Sequence, residues 1–93
     1  MDGDFAPLPE LAQLAREHSA MLMIDEAHAT GVWGAQGRGV ANLMQVEDGV
    51  HIRTGTFSKA LGSVGGFAAG TAALIHWLAN RGRPFVFSTA LPS

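Results

Sequence analysis

The chain has 93 residues, of which 47% are hydrophobic and only 15% are charged, a balance typical of the interior of a larger α/β protein rather than a small free-standing domain. The net charge of −2 gives no electrostatic basis for binding nucleic acid or an anionic membrane. The absence of cysteine excludes disulfides and thiolate metal sites, and we expect no metal.

Targeting signals are also missing from the sequence. No stretch reaches the roughly 18 apolar residues that a membrane span requires. The segment Met1-Asp2-Gly3-Asp4 lacks the basic and apolar regions of a signal peptide. We therefore expect a cytoplasmic location, with no membrane and no nucleic acid among the partners.

The first half of the chain predicts a helix, a buried strand and a loop. Proline is well tolerated in a first helical turn, so Pro7-Leu8-Pro9 indicates a helix start. Helical spacing places four residues on one face, namely Leu11, Leu14, Ala15 and His18. The apolar run 21–24 ends at Asp25 and is typical of a buried parallel strand. Four glycines within 29–39 indicate a loop.

The second half predicts three further strands and one helix. The strand candidates are His51 to Phe57, Gly66 to Gly70, and Phe85-Val86-Phe87. Thr71 is a plausible N-cap for a helix through Leu78, with Gly82 near its end. Helices that alternate with short apolar strands predict an α/β architecture.

Asp25 and His28 are candidate ligand-binding residues because ligands gather beyond the carboxyl ends of strands in α/β sheets. A carboxylate at this point can pair with the pyridinium nitrogen of pyridoxal phosphate (PLP), and a nearby histidine can bond to the ring's phenolic oxygen. Two alternatives stay open. Asp25 can simply cap the following turn, and His28 can be a loop histidine without a ligand.

Lys59 is the only lysine of the chain and follows the small hydroxylated residues Thr56 and Ser58. Apolar neighbours and the glycine-rich run 62–66 indicate a buried lysine, whose lowered pKa would free the amine as a nucleophile. Such an amine can bond to the aldehyde carbon of PLP, while the hydroxyls and backbone amides around it can hold a phosphate. The alternative is a solvated surface lysine.

Four segments in the same order resemble the α-oxoamine synthase family of fold-type I PLP enzymes. They are residues 1–8, 25–39, 55–66 and 87–92. The resemblance covers essentially the full chain and is greatest to the biotin-pathway member. It implies the large domain of that fold, with a mostly parallel sheet flanked by helices. It also implies PLP as cofactor and a homodimeric parent.

The resemblance implies roles for six residues. Lys59 is the expected catalytic residue, bonded to the cofactor and acting as the base that moves the α-proton of the substrate. The expected cofactor-binding residues are Asp25, His28, Thr56, Lys59, Ser88 and Thr89, the last two reaching the cofactor of the neighbouring subunit. The implied reaction is a decarboxylative condensation of an amino acid with an acyl-CoA. For the biotin-pathway member these are L-alanine and a pimeloyl thioester.

The resemblance also implies that residues 1–93 form only part of the PLP-binding large domain. The family's ring-stacking histidine and glycine-rich phosphate loop are expected before this segment. Its C-terminal domain, with the arginine that binds the substrate carboxylate, is expected after it. We therefore expect the isolated 93 residues to be inactive.

A different class of protein is the main alternative. The run Asp25-Glu26-Ala27-His28 after an apolar strand matches the Asp-Glu-Ala-His box of helicases, in which Asp holds Mg²⁺ and Glu orients water. Such motors also need a Gly-x-x-x-x-Gly-Lys-Ser/Thr loop, which the chain lacks. Lys59 and its glycines match no part of a helicase.

Overall fold

A computed structural model describes residues 2–90 of the chain. It contains four helices and three strands in these residues, together with two 3-10 turns at Ala35–Gly37 and Glu47–Gly49. In chain order the elements are α1 (Leu8–Glu17), β1 (Met23–Asp25), α2 (Val40–Leu43), β2 (Ile52–Thr56), β3 (Gly66–Gly70), α3 (Ala72–Arg81) and α4 (Arg83–Val86).

The three strands form one sheet in the order β1-β2-β3. Strand β1 runs parallel to β2, with Asp25 beside Thr54. Strand β3 runs antiparallel to β2, with Gly66 beside Thr56. The predicted α/β class and the first three predicted strands are therefore confirmed. In the described part of the chain, however, the sheet is mixed rather than mostly parallel.

The core lies on one face of β1, where Ile24 packs with residues from α1, α2 and the intervening loop. Its buried members are Leu8, Ile24, Ala29, Val40 and Ala41. Because successive side chains of a strand point to opposite faces, the neighbours of Ile24 face away from this core. Met23, 61% exposed, shows this directly.

Helix α1 starts where the prolines predicted, and its buried face agrees only in part with the predicted one: Ala15 is buried and Leu11 packs against the core. The structure buries Leu8, Ala12 and Ala15, whereas Leu14 is 51% exposed and His18 is exposed. The reason is a close approach to the second 3-10 turn, since a Cβ added at Gly49 would lie 2.7 Å from that of Ala12. The helix therefore docks through its small alanines.

The predicted start of α3 is confirmed, but the last predicted strand is wrong. The hydroxyl of Thr71 accepts a hydrogen bond from the amide of Leu74 at 3.3 Å. Residues 83–86 form α4 instead of a strand, with proline in the first turn, where its fixed φ favours a helix. The carbonyl of Gly82 accepts the amides of Phe85 and Val86, each at 2.9 Å. Between residues 2 and 90, no helix is long and apolar enough to cross a membrane.

Candidate active site

Asp25 ends β1 and is exposed on the sheet face opposite the core. Its Oδ1 accepts a hydrogen bond from the amide of Ala27 at 2.8 Å, so the aspartate does cap the following turn. Within residues 2–90 its second oxygen accepts no hydrogen bond. One oxygen therefore fixes the carboxylate while the other stays available to a ligand.

Thr54 and Thr56 lie on the same face of the sheet as Asp25. Thr54 is the direct partner of Asp25 across the parallel pair, and Thr56 lies two residues further along β2. Side chains two residues apart share a face of a strand. The sheet thus brings the predicted carboxylate and the predicted phosphate-binding hydroxyl to one face, at the carboxyl ends of neighbouring parallel strands.

His28 is exposed on the turn that follows β1. This turn is closed by the amides of Ala29 and Thr30, which donate to the carbonyl of Glu26 at 2.9 and 2.8 Å. His28 and Asp25 both line an open cavity of about 560 Å³, together with core residues such as Leu8, Ile24 and Val40. Lys59, Thr56, Ser88 and Thr89 do not line that cavity, so it contains only two of the six predicted residues.

Lys59 lies on the hairpin loop 57–65, whose base is closed by Thr56. The Thr56 hydroxyl donates to the carbonyl of Gly65 at 3.0 Å and accepts from the amide of Ser58 at 3.2 Å. The Ser58 and Thr56 hydroxyls are 2.7 Å apart. In this structure the Thr56 hydroxyl thus shapes the loop that carries the lysine.

The predicted burial of Lys59 is wrong for the described part of the chain, because the lysine and every other residue of loop 57–65 are exposed. The apolar neighbours that suggested burial are themselves exposed, with Phe57 at 37%, Leu61 at 48% and Val64 at 66%. Lys59 forms no ion pair with any of these residues, which leaves its amine free.

Ser88 and Thr89 follow α4 and are exposed. The Ser88 hydroxyl donates to the carbonyl of Phe85 at 3.0 Å. The structure places both residues after the last helix and does not bring them to the cavity of Asp25 and His28.

Glu26 is a residue that the sequence pattern did not single out for a structural role. It is buried, with 4% of its surface exposed, and its carboxylate accepts hydrogen bonds from the amides of Val40 at 2.8 Å and Ala41 at 3.0 Å. The available signal was the glycine before Val40, because only a residue without a Cβ allows this close approach. Since both carboxylate oxygens are occupied, Glu26 is not free to orient water.

Glu47 forms a second polar cluster, between the end of loop 27–39 and β2. It accepts hydrogen bonds from Arg38 at 2.9 Å, Asn42 at 2.8 Å and Arg53 at 3.2 Å. The hydrogen bond from Asn42, followed by that from Arg53 and the charges of both arginines, lowers the pKa of Glu47 despite an opposing effect of partial burial. Through Arg38 and Arg53, this cluster connects the end of loop 27–39 to the start of β2.

Comparison with known proteins identifies the class to which this arrangement belongs. Residues 1–93 match the class I and II aminotransferase family, and the chain belongs to that family. The fold is that of a segment of the fold-type I large domain found in PLP enzymes. Solved serine palmitoyltransferases that match at 40% identity contain PLP.

The individual relatives narrow this class to α-oxoamine synthases. The chain is 51% identical over 92 residues to 8-amino-7-oxononanoate synthase 1 of Bacillus subtilis (strain 168), covering 99% of this chain and 24% of that protein. Serine palmitoyltransferase of Sphingomonas wittichii matches with a TM-score of 0.91 at 43% identity, over 99% of this chain and 23% of that one. The 8-amino-7-oxononanoate synthase of Francisella tularensis matches with a TM-score of 0.69 at 34% identity, over 89% and 25%.

Two consequences follow from these matches. The chain spans about a quarter of the length of the curated relatives it matches. The helicase alternative is wrong, because the family is that of PLP enzymes and Glu26 serves as an internal hydrogen-bond acceptor.

Proposed function

We propose that the protein containing this segment is a PLP-dependent acyltransferase that condenses L-alanine with a pimeloyl thioester. Decarboxylation accompanies the condensation and gives 8-amino-7-oxononanoate for biotin biosynthesis, together with CoA and carbon dioxide. The observation that carries the cofactor assignment is Asp25, with one oxygen held and the other free, on the face that Thr56 shares. The choice of substrates rests on the names of the relatives.

The geometry of Asp25 suits the ring nitrogen of PLP. An exposed carboxylate with one free oxygen can accept a hydrogen bond from a protonated ring nitrogen, while its other oxygen accepts the Ala27 amide. A carboxylate held in this way favours the protonated ring. Bound PLP supplies an electron sink that stabilises negative charge on the substrate's α-carbon.

Lys59 suits the role of covalent anchor and base. Its amine has no carboxylate partner within residues 2–90, and the hairpin that carries it is closed by the hydrogen bond from the Thr56 hydroxyl to the Gly65 carbonyl. We propose that Lys59 would hold PLP covalently through Nζ, and that its amine would move the proton of the substrate α-carbon.

Four more assignments complete the proposed site. His28 contacts the ring oxygen from the turn after β1, where it lies beside Asp25 on one cavity. Thr56 contributes to phosphate binding, which requires its hydroxyl to exchange the Gly65 carbonyl for a phosphate oxygen. Ser88 and Thr89 reach the phosphate of the cofactor in the neighbouring subunit.

A second candidate function within the same family has a specific observation in its favour. Serine palmitoyltransferases align with this structure at a TM-score of 0.91, against 0.69 for the Francisella tularensis synthase. The sequence favours 8-amino-7-oxononanoate synthase, with 51% identity to the Bacillus subtilis relative against 43% to the Sphingomonas wittichii enzyme. Two further family members remain alternatives, 2-amino-3-ketobutyrate CoA ligase and 5-aminolevulinate synthase.

The proposal extends to the whole protein. Residues 1–93 form part of the PLP-binding large domain, and the complete enzyme is a homodimer in the cytoplasm. The chain covers 24% of one relative and 23% of another, which supports the first of these statements, that it is part of a larger domain.

A single set of variants tests the function in a complete enzyme that carries these 93 residues. This can be the natural protein or the Bacillus subtilis relative with its matching segment replaced. With PLP added, the wild type should show the visible absorbance of covalently bound cofactor and release CoA from pimeloyl-CoA with L-alanine. Lys59→Ala should lose the visible absorbance and the release of CoA. Lys59→Arg should lose them too, although it keeps the positive charge. Release of CoA with serine and palmitoyl-CoA but not with L-alanine would favour the second candidate function.

A further inference from the structure

Glu26 is the one buried charged side chain among residues 2–90. Its carboxylate reaches across the glycine-rich loop to the amides of Val40 and Ala41, fourteen and fifteen residues further along the chain. A buried carboxylate is strongly unfavourable unless hydrogen bonds replace those it made with water. These two bonds therefore hold the two ends of loop 27–39 together in one geometry.

The backbone at Gly39 packs directly against the carboxylate of Glu26. A Cβ added there would lie 2.7 Å from the carboxyl carbon of Glu26 and from both of its oxygens. Gly39 also has a φ of +100°, a region that other residues rarely adopt. The Glu26 carboxylate therefore fits against the Gly39 backbone only because residue 39 has no side chain.

The backbone of Glu26 is fixed as firmly as its side chain. Its amide donates to the carbonyl of Thr54 at 2.8 Å, which adds a bond between β1 and β2. Its carbonyl accepts the amides of Ala29 and Thr30 and so closes the turn that carries His28. Asp25 precedes it and binds the amide of Ala27 on its other side.

We propose that Glu26 is a positioning residue for the candidate cofactor site. It touches neither cofactor nor substrate, but it fixes the orientations of Asp25 and His28 on either side of it by joining β1, the turn and α2. The inference rests on the proposed function, since it concerns the same site. Without the carboxylate, the ends of loop 27–39 separate, and the two side chains lose their fixed positions relative to the ring.

The test uses Glu26→Ala and Glu26→Gln in the complete enzyme described above, with Glu47→Gln as the matched control. Glu47 also accepts several hydrogen bonds at the end of the loop but does not adjoin Asp25 or His28. Three quantities are measured: the Kd for PLP, the visible circular dichroism of the bound cofactor, and amide hydrogen exchange at Val40 and Ala41 in the cofactor-free protein.

We expect Glu26→Ala to weaken PLP binding roughly tenfold or more, the loss typical of residues that orient direct ligands. Its cofactor dichroism should change, and exchange at both amides should accelerate. Glu26→Gln should lose less, because its amide oxygen still accepts one of the two bonds. Glu47→Gln should lower thermal stability yet leave the Kd for PLP within about twofold of the wild type.

A further variant tests the same contact by changing Gly39 instead of Glu26. Gly39→Ala should weaken PLP binding in the presence of Glu26, and should do so less in the Glu26→Ala background, where the carboxylate no longer obstructs the Cβ. If Glu26→Ala fails to fold, the losses of PLP affinity in Glu26→Gln and in Gly39→Ala, each compared with Glu47→Gln, still test the inference.

Several outcomes would overturn the inference. One is an unchanged Kd and dichroism in both Glu26 variants; another is an equal loss in Glu47→Gln, which would indicate a general loss of stability. Independent effects of Glu26→Ala and Gly39→Ala would also overturn it. A wild-type enzyme that binds no PLP would overturn both this inference and the proposed function. If the wild type binds PLP, any of the outcomes above overturns only the positioning role of Glu26.

Discussion

Replacement of Gly55 by alanine perturbs the strand that leads to the lysine loop. Gly55 lies in the middle of β2, opposite Phe67 of β3. An added Cβ would lie 2.7 Å from Cε1 of the Phe67 ring and closer still to its Cζ. Favourable carbon–carbon contacts are roughly 3.5–4.0 Å, so the ring must move by about 1 Å or more.

The loss of stability in Gly55→Ala depends on how easily the Phe67 ring can move away from the added Cβ. Overpacking a well-packed site destabilises by about 1–3 kcal/mol. Phe67 is half-buried, which gives the ring room to yield, so we expect a loss of about 1–2 kcal/mol. The ring also packs against Phe57 with centroids 5.3 Å apart, and Phe57 begins the loop of Lys59. Gly55→Ala should therefore weaken PLP binding as well as stability.

Urea denaturation of the complete enzyme measures the loss of stability. Phe67→Leu supplies the control, because its shorter side chain leaves space for the new Cβ. The double variant should be more stable than the sum of the two single losses predicts, by about 0.5 kcal/mol or more. Additive losses, or a Gly55→Ala enzyme as stable as the wild type, would show that the ring over Gly55 exerts no steric control.

The remaining predictions concern Asp25, Glu47 and the isolated chain. Asp25→Asn should retain PLP but lower kcat severely, because a neutral amide does not hold the ring nitrogen protonated; wild-type turnover in a CoA-release assay would contradict the role of Asp25. Glu47→Gln should be less stable than the wild type at neutral pH. Since the pKa of Glu47 is lowered in the folded protein, its stabilisation is present above the unfolded pKa and is lost as pH falls through the folded one. The difference between the two thermal unfolding profiles should therefore shrink in acid, and a constant difference would argue against it. The 93 residues alone should self-associate in the ultracentrifuge and release no CoA, since apolar side chains such as Trp77 and Phe87 are 60% and 74% exposed. A monomer with enzymatic CoA release would refute this expectation.

The sequence predicted the parts of the fold that depend on local patterns. The apolar run ending at Asp25, the glycines bounding β3 and the Thr71 cap each carry their signal within a few residues, and the structure confirms all three. The hydrophobic character of residues 85–87 was also clear. A strand, however, requires a neighbour to pair with, and after Pro84 these residues form a helical turn instead.

The residues proposed for the site could be chosen from the sequence, but the contacts that support them could not. Asp25 and Lys59 stand out by residue type and position. The role of Glu26 depends on the backbone of α2 approaching it fourteen residues later, which no local pattern encodes. The predicted face of α1 was only partly right for a similar reason. Ala15 is buried and Leu11 packs against the core as predicted, but the close approach of Gly49 turns Ala12 inward rather than Leu14.

The two strand pairs that hold the candidate site differ in how far along the chain their partners lie. The hydroxyl of Thr56 and the carbonyl of Gly65 are nine residues apart, whereas Thr54 reaches back thirty residues to the carbonyl of Ile24. Closing a longer loop costs more chain entropy, and hairpins form within roughly 1–10 μs. On refolding from denaturant, we therefore expect the lysine hairpin to order before the aspartate strand docks against it, a sequence that pulse-labelling hydrogen exchange can resolve. Lys59 would then be in place before Asp25. If Lys59 bonds to PLP as proposed, the cofactor could attach to the chain before the strand that carries Asp25 has docked.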